Sequence, residues 1–184
     1  PVIDILAGIP SVIYGVWGIL VIVPFITKVG NVFGIQTSGY TILTGALVLS
    51  VMIIPFILNI LIEVFRNIPT EFTEASLSLG ATKWETVKFV LVKKGLPGII
   101  SAVGLGLSRA FGETIAVLMV VGNVTQFPHS VFDAGYPLPA LIANNYGEMM
   151  SIPLYDSALM LAALVLFVVV LFFNLASRLI IIQS

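Results

Sequence analysis

The stretch GLSRAFGETIAVLMVVGN, Gly106 to Asn123, places an arginine and a glutamate four residues apart inside an otherwise apolar run. An ionisable side chain at the centre of a bilayer costs about 2.5–3.5 kcal/mol on insertion scales, so two of them in one segment need a reason. At 100° per residue, Arg109 and Glu113 fall within about 40° of each other on one face of a helix. We expect this face to point into a helix bundle or a water-filled cavity.

The composition of the chain indicates an integral membrane protein. Of its 184 residues, 59% are hydrophobic and 9% are charged, whereas soluble domains carry about 25% charged residues. The net charge of −1 and the lack of a basic cluster argue against nucleic acid as a partner. The chain has no cysteine, which excludes disulfides and thiolate metal sites, and its single histidine, His129, cannot form a metal site alone. We expect no metal and no cofactor.

Four apolar stretches approach the roughly 20 residues that a helix needs to cross a bilayer. They predict an all-α membrane protein, a polytopic helix bundle. The predicted spans lie at about 11–26, 40–62, 96–122 and 157–175, with the first ending near Pro24.

The connections between these spans differ in charge. Residues 63–95 include five basic side chains and Arg178 follows the fourth span, whereas residues 123–156 contain neither lysine nor arginine. The positive-inside rule therefore predicts that 63–95 and the C-terminus are cytoplasmic and that 123–156 is an external loop.

The predicted cytoplasmic connection has the pattern of helix, glycine turn and helix. A proline and acidic residues mark the start of the first helix, and Gly80 stands where a C′ residue would end it. Thr82 and Glu85 have the spacing of a capping box for a second helix, which we expect to stop at Gly95. Two interpretations stay open: a pair of amphipathic helices on the membrane surface, or a rigid docking element for a partner.

Small residues accompany the two charges on the third predicted span. The charged face also carries Gly98, Ala102, Gly106, Gly112 and Ala116, with Leu105 as an exception. The opposite face carries the large side chains Ile99, Ile100, Val103, Leu107, Phe111 and Leu118. A stripe of small residues lets another helix or a substrate approach closely. We expect the large side chains to face lipid.

Arginine is the side chain best suited to an oxyanion, because its planar fork donates two hydrogen bonds and keeps its charge in a dry environment. We expect Glu113 to pair with Arg109 when the site is empty, so that an incoming anion competes for the guanidinium. The alternative is a purely structural ion pair that holds two helices together.

The residues EASLSLG, Glu74 to Gly80, resemble the EAA motif of ABC-importer permeases, which reads E-A-A, three residues, Gly, nine residues and I-x-L-P. Ser76 replaces the second alanine, and the end of the motif falls on VLVK, where the proline is missing. In that family the loop forms coupling helices that bind the cytoplasmic ATPase. The resemblance therefore implies that 63–95 is an ATPase-coupling loop containing Glu74, Ala75, Gly80, Thr82, Trp84 and Glu85.

The segment RAFGETIAVLMVVGN is similar to the R-A-x-G-E-T motif and its continuation in phosphate-specific permeases of the PstC type, and LAGIPSVIYGVWG near the start is also typical of them. This resemblance implies the six-span permease core of a type I (MetI-like) ABC importer. Residues 1–184 would be its last four spans and the C-terminal part of a longer chain. The implied translocation path contains Gly106, Arg109, Gly112, Glu113 and Thr114.

The same resemblance implies a subunit that passes inorganic phosphate through the cell membrane of a prokaryote. Its implied partners are a second phosphate permease subunit, which completes a heterodimer, two cytoplasmic ATP-binding subunits and an external phosphate-binding protein. The sequence carries no nucleotide-binding fingerprint, so ATP hydrolysis is assigned to a partner and the chain itself is not an enzyme.

Three other functions are compatible with the residues. A molybdate or sulfate permease is the nearest, but its motif has an aromatic residue after R-A-x-G-E, where this chain has Thr114. A membrane enzyme could use Glu113 as a general acid or base. A scaffold subunit would leave transport to its sister chain.

Overall fold

The computed structural model describes residues 8–147 and 152–182, and its regular structure is helical. Within these residues the one pairing of strand type is a single bridge between Gly122 and Gly135. The helices, numbered in chain order, are α1 Ser11–Val32, α2 Ile42–Arg66, α3 Thr70–Ser78, α4 Lys83–Gly112, α5 Ile115–Val120, α6 Leu138–Asn145 and α7 Pro153–Ile182. The predicted all-α bundle is confirmed.

Four helices of the described chain, α1, α2, α4 and α7, are long and apolar enough to cross a membrane. This number matches the sequence prediction, but several predicted bounds were wrong, including those of the last span, since α7 extends beyond 157–175 at both ends. The first helix does not end near Pro24, because this proline follows a π-helical turn at Gly18–Ile22 and lies at the start of the next helical segment, where its missing N–H is tolerated. The third predicted span, 96–122, is divided between α4 and α5.

Helix α4 also begins earlier than predicted, and the expected stop at Gly95 does not occur. Gly95 is helical and buried, and a Cβ placed on it would lie 3.1 Å from the ring of Phe65 in α2. Close packing of two helices thus explains this glycine, rather than a helix end. Pro97 is likewise inside α4, as prolines are in membrane helices when neighbouring groups satisfy the backbone.

The core of the described chain forms where α5 packs against α1 and α2. Its members are buried side chains, namely Tyr14, Val48, Met52, Ile53, Ala116, Val117, Val120 and Val121. Gly18 allows the close approach, because a Cβ there would lie 2.8 Å from Val48 Cγ2 and 2.9 Å from Val120 Cγ1. The short helix that follows the R-A-x-G-E-T segment is therefore the centre of the bundle.

Helix α7 is attached to α4 by polar contacts inside an otherwise apolar interface. Ser101 Oγ donates to the carbonyl of Ser177 at 3.0 Å, and Asn174 Nδ2 donates to Ser108 Oγ at 2.6 Å. Gly104 leaves room for the Ser177 side chain. Hydrogen bonds of this kind join helices in lipid, where apolar contact alone gives little preference for one partner.

The connection between α5 and α6 folds back onto the start of α2. The backbone N–H groups of Ile42 and Leu43 donate to the carbonyls of Asp133 (3.0 Å) and Val131 (2.9 Å). Asp133 Oδ2 in turn accepts from the N–H groups of His129 (2.9 Å) and Ser130 (2.8 Å). These bonds satisfy donors that a helix N-terminus leaves without partners. The part of the predicted external loop at 148–151 lies outside the described residues.

Candidate functional site

The R-A-x-G-E-T segment contains a break between two helices. Helix α4 ends at Gly112, Glu113 is extended with φ −71° and ψ 120°, and α5 begins at Ile115. Thr114 Oγ1 donates to the carbonyl of Gly112 at 3.3 Å across the break. Glycine has a low helix propensity, and threonine hydroxyls compete with the backbone for hydrogen bonds. The sequence G-E-T therefore interrupts a helix that the surrounding apolar residues would otherwise continue.

Glu113 is half-buried at this break and serves the start of α5. Its Oε1 accepts a hydrogen bond from the backbone N–H of Ala116 at 3.3 Å. The residue also lines a cavity of about 390 Å³ between α2, α4, α5, the start of α6 and α7, whose other lining residues are apolar or glycine. The carboxyl group of Glu113 is the one ionisable group of that lining.

Arg109 has different surroundings. Its guanidinium carbon lies 4.6 Å from the centroid of the Phe56 ring in α2, which is a cation–π contact. The side chain is exposed on the surface of the chain. In the part of the chain that the structure describes, no group accepts a hydrogen bond from Arg109 and no carboxylate forms an ion pair with it. The guanidinium N–H groups therefore remain available as hydrogen-bond donors.

The expected ion pair between Arg109 and Glu113 is therefore not formed, and that prediction was wrong for this state of the chain. The prediction assumed a continuous helix through this segment, but α4 ends at Gly112 and the chain turns after Glu113. The Glu113 carboxylate is occupied at the start of α5 and in the cavity. Arg109 is stabilised instead by an aromatic ring on a neighbouring helix.

The predicted small-residue stripe is an interface between helices. A Cβ on Gly106 would lie 2.5 Å from Ile57 Cγ1 of α2, and Gly98 faces Val64 of the same helix. Gly106 thus supports packing and does not line an open path in this chain. Gly112 is exposed, and a Cβ there would have no neighbour within 4 Å. Of the large residues expected to face lipid, four are exposed, namely Ile100, Val103, Leu107 and Phe111, whereas Ile99 and Leu118 are partly buried.

The predicted helical hairpin has its first helix and its turn as expected. Helix α3 starts after Pro69, carries Glu71 in its first turn, and ends in a glycine turn in which Gly80 has φ +86°. The N–H of Gly80 donates to the carbonyl of Leu77 at 3.0 Å, and the N–H of Ala81 donates to that of Ser76 at 3.3 Å. This pair of bonds is the Schellman motif, which favours glycine at C′.

The predicted capping box is also present, at the start of α4. Glu85 N donates to Thr82 Oγ1 at 3.3 Å, and Glu85 Oε2 accepts from both the N–H and the hydroxyl of Thr82 at 2.8 Å. Behind it, Ser76 Oγ and Thr86 Oγ1 are 3.0 Å apart and join the two helices. The turn between α3 and α4 is therefore held by its own side chains.

The outer surface of this hairpin is apolar at its tip. Leu79 is 90% exposed and Trp84 is 71% exposed, and Glu74 and Ala75 are exposed on α3. Large apolar side chains that are this exposed on a rigid element are typical of interaction sites. The residues of the EAA-like motif thus lie on a protruding, preorganised surface.

Sequence reasoning missed two sets of residues. Phe56, which contacts Arg109, gave no signal, because it is one aromatic among the apolar residues of a predicted span. Asn174 and Ser177 did carry a signal: Asn174 is a polar residue near the end of the almost purely apolar predicted span, and Ser177 follows that span closely. Polar side chains in such a helix commonly bond to another helix.

Comparison with known proteins agrees with this architecture. The chain matches the family "Binding-protein-dependent transport system inner membrane component" over residues 1–181. It is 41% identical to the Bacillus subtilis protein named "Probable ABC transporter permease protein YqgH", over 97% of this chain and 58% of that protein. It is 40% identical to the phosphate transport system permease protein PstC of Xylella fastidiosa, over 91% of this chain and 56% of that protein.

Among solved structures, a chain of the MetNI methionine ABC transporter, crystallised in inward-facing conformations, superposes with a TM-score of 0.69. The superposition covers all of this chain and 73% of the other, at 24% sequence identity. This likeness shows the fold, the helix bundle of a MetI-type permease. The chain spans somewhat more than half the length of the two sequence relatives. It belongs to the family of binding-protein-dependent transport system inner membrane components.

Proposed function

We propose that the chain is part of a permease subunit that moves inorganic phosphate through the membrane of an ATP-driven importer. The observation that carries this proposal is the free donor fork of Arg109, exposed beside the broken G-E-T segment. A guanidinium with no competing carboxylate is prepared to bind an oxyanion through two parallel hydrogen bonds. The PstC protein of Xylella fastidiosa, 40% identical, is named as a phosphate transport permease.

The translocation path in this proposal runs past Arg109, Gly112, Glu113 and Thr114, which are exposed or half-buried on the chain. Gly106 supports the path indirectly. It lies on the side of α4 that packs against α2 and lets α2 approach closely enough to bring Phe56 to Arg109. A charge at mid-membrane depth needs water or a protein partner. A second permease subunit packed against this surface, forming a heterodimer, would enclose the path.

The hairpin of α3 and the start of α4 is the proposed coupling element. In this proposal Glu74, Ala75, Gly80, Thr82, Trp84 and Glu85 face one of two cytoplasmic ATP-binding subunits. An external phosphate-binding protein delivers the anion to the opposite side, where residues 123–156 contain neither lysine nor arginine. The basic residues of 63–95 support a cytoplasmic location for that connection and for the C-terminus.

ATP hydrolysis by the reconstituted full-length complex tests this function. The complex is placed in proteoliposomes with its binding protein, and phosphate, sulfate and molybdate are added in turn. We expect stimulation by phosphate alone. Stimulation by sulfate or molybdate would keep the permease and reject the phosphate assignment. Turnover of a lipid by the purified chain without ATPase subunits would favour a membrane enzyme instead.

A further inference from the structure

We propose that Phe56 is a positioning residue for oxyanion transfer, because it holds the guanidinium of Arg109 in place while leaving its hydrogen-bond donors free. The inference rests on the proposed function and adds to it a residue that lies outside the R-A-x-G-E-T segment. It starts from the contact between the Arg109 guanidinium and the Phe56 ring, 4.6 Å from carbon to centroid.

An arginine inside a membrane protein needs a stabilising partner, and the type of partner decides what the arginine can bind. A carboxylate would stabilise the charge, but it would occupy the same N–H groups that an oxyanion needs. An aromatic ring stabilises the charge through the quadrupole of its face and accepts no conventional hydrogen bond. Phe56 therefore offers electrostatic support without competing for the ligand.

Other contacts in the described residues support the idea that Phe56 stabilises the charge of Arg109 while its N–H donors stay available for an anion. Glu113, the nearest acidic residue in sequence, is turned away into the start of α5, where it accepts from Ala116 N. No described group accepts a hydrogen bond from Arg109. Phe56 itself is half-buried near the middle of α2, so its ring has fewer orientations than an exposed one. The ring thus reduces the conformational freedom that Arg109 would otherwise lose when an anion binds.

The test uses substitutions at Phe56 in the full complex in proteoliposomes. Phosphate uptake is measured as the initial rate per assembled complex, with the amount of each subunit recovered in the vesicles as the check on assembly. Mono-, di- and trifluorophenylalanine at position 56 withdraw electrons from the ring face with little change in shape. We expect uptake to fall stepwise with each fluorine, to a total of about 3- to 30-fold.

Two further substitutions separate a cation–π contact from packing. Phe56→Trp keeps an electron-rich face, and we expect uptake within about twofold of the wild type. Phe56→Leu removes the face, and we expect a loss at least as large as that of the trifluoro side chain. Phe167 on α7, which is 61% exposed, is the matched control. The same fluorinated series there should leave uptake unchanged.

A flat fluorine series at position 56, or a loss in Phe56→Trp equal to that in Phe56→Leu, would overturn the role of Phe56. Arg109→Gln, measured in the same vesicles, keeps this outcome separate from the proposed function. If Arg109→Gln abolishes uptake while the fluorine series is flat, the oxyanion path remains and only the positioning role fails. Wild-type uptake by Arg109→Gln would reject both the oxyanion path past Arg109 and the positioning role of Phe56.

Discussion

Ser76 Oγ lies 3.0 Å from Thr86 Oγ1 and donates to it, since Thr86 Oγ1 donates its own proton to the carbonyl of Thr82 at 3.1 Å. The serine that replaces the second alanine of the EAA pattern thus links α3 to the first turns of α4. In this chain the departure from the motif adds a contact between the two helices of the hairpin.

Removing this hydroxyl should loosen the hairpin. We expect Ser76→Ala to destabilise it by about 0.5–1.5 kcal/mol, the usual net value of one hydrogen bond. Amide hydrogen exchange over residues 70–91 of the purified complex would measure the loss of protection. Ser78→Ala is the control, because Ser78 Oγ bonds only within α3, to the carbonyl of Glu74 at 2.8 Å. Equal loss of protection in both variants would contradict this role.

The glycine turn should be required for binding of the ATPase subunits. Gly80 has φ +86°, and no atom lies within 4 Å of a Cβ placed there, so a substitution acts through backbone strain alone. We expect Gly80→Val to cost about 1–2 kcal/mol or more and to lower the fraction of complexes that retain ATP-binding subunits during purification. Gly80→Asn should retain more of them, since asparagine tolerates this conformation. The same retention in both variants would exclude strain as the cause.

Substitutions of Glu113 should separate its capping role from its charge. Gln keeps an oxygen that can accept from Ala116 N, whereas Ala does not. We expect Glu113→Ala to lose about 1 kcal/mol of stability and Glu113→Gln to lose less than half of that. Both should lose phosphate uptake if the negative charge is part of the path. Thermal unfolding and uptake, measured on one preparation, distinguish the roles, and full uptake by Glu113→Gln would remove the charge from the mechanism.

The N–H donors of Arg109 predict that phosphate uptake falls by different amounts when lysine or glutamine replaces this residue. Arg109→Lys keeps the positive charge but cannot form two parallel hydrogen bonds, and each charge-assisted bond contributes about 1.5–3 kcal/mol. We therefore expect uptake to fall about tenfold or more in Arg109→Lys and below detection in Arg109→Gln. Uptake of radioactive phosphate at matched assembly measures this. A lysine variant as active as the wild type would mean that charge alone is sufficient.

The polar contact between α7 and α4 should stabilise the bundle. Asn174→Leu removes the 2.6 Å bond to Ser108 Oγ, and we expect a loss of about 0.6–1.7 kcal/mol. Unfolding of the membrane part by SDS in mixed micelles would measure it. Phe167→Leu, at a side chain of α7 that is 61% exposed, is the control and should unfold like the wild type. An equal change in SDS resistance in the two variants would indicate a general effect of substitutions in α7.

The hairpin and the long helices were predictable because their signals are local. Gly80, Thr82 and Glu85 each act within one turn of their own position, and the apolar stretches depend only on composition. The continuation of α4 through Gly95 was not predictable, since it depends on packing against Phe65, which is distant in sequence. Local signals for a stop were overridden by contacts between helices.

The sequence draws attention to the charged residues of the candidate site but does not give their geometry. Arg109 and Glu113 stand out as charges in an apolar run, but their relation depends on where the helix ends. The sequence G-E-T at 112–114 contained that information, because a glycine followed by polar residues marks a helix end even inside a span. The partner of Arg109 could not be found this way, since Phe56 resembles every other apolar residue of α2.

The bonds between the α5–α6 connection and the start of α2 have a mechanical consequence. Ile42 and Leu43 are held by residues 131–133 at one end of α2, and Phe65 is packed against Gly95 of α4 at the other. Between them runs a single helix of 25 residues, a rod about 37 Å long at 1.5 Å per residue. A displacement of residues 131–133 that keeps these two hydrogen bonds would move the start of α2, and Phe56 lies near the midpoint of this helix, directly after Pro55. Helix α2 thus mechanically connects residues 131–133 at one end of the bundle with Gly95 of α4 at the other.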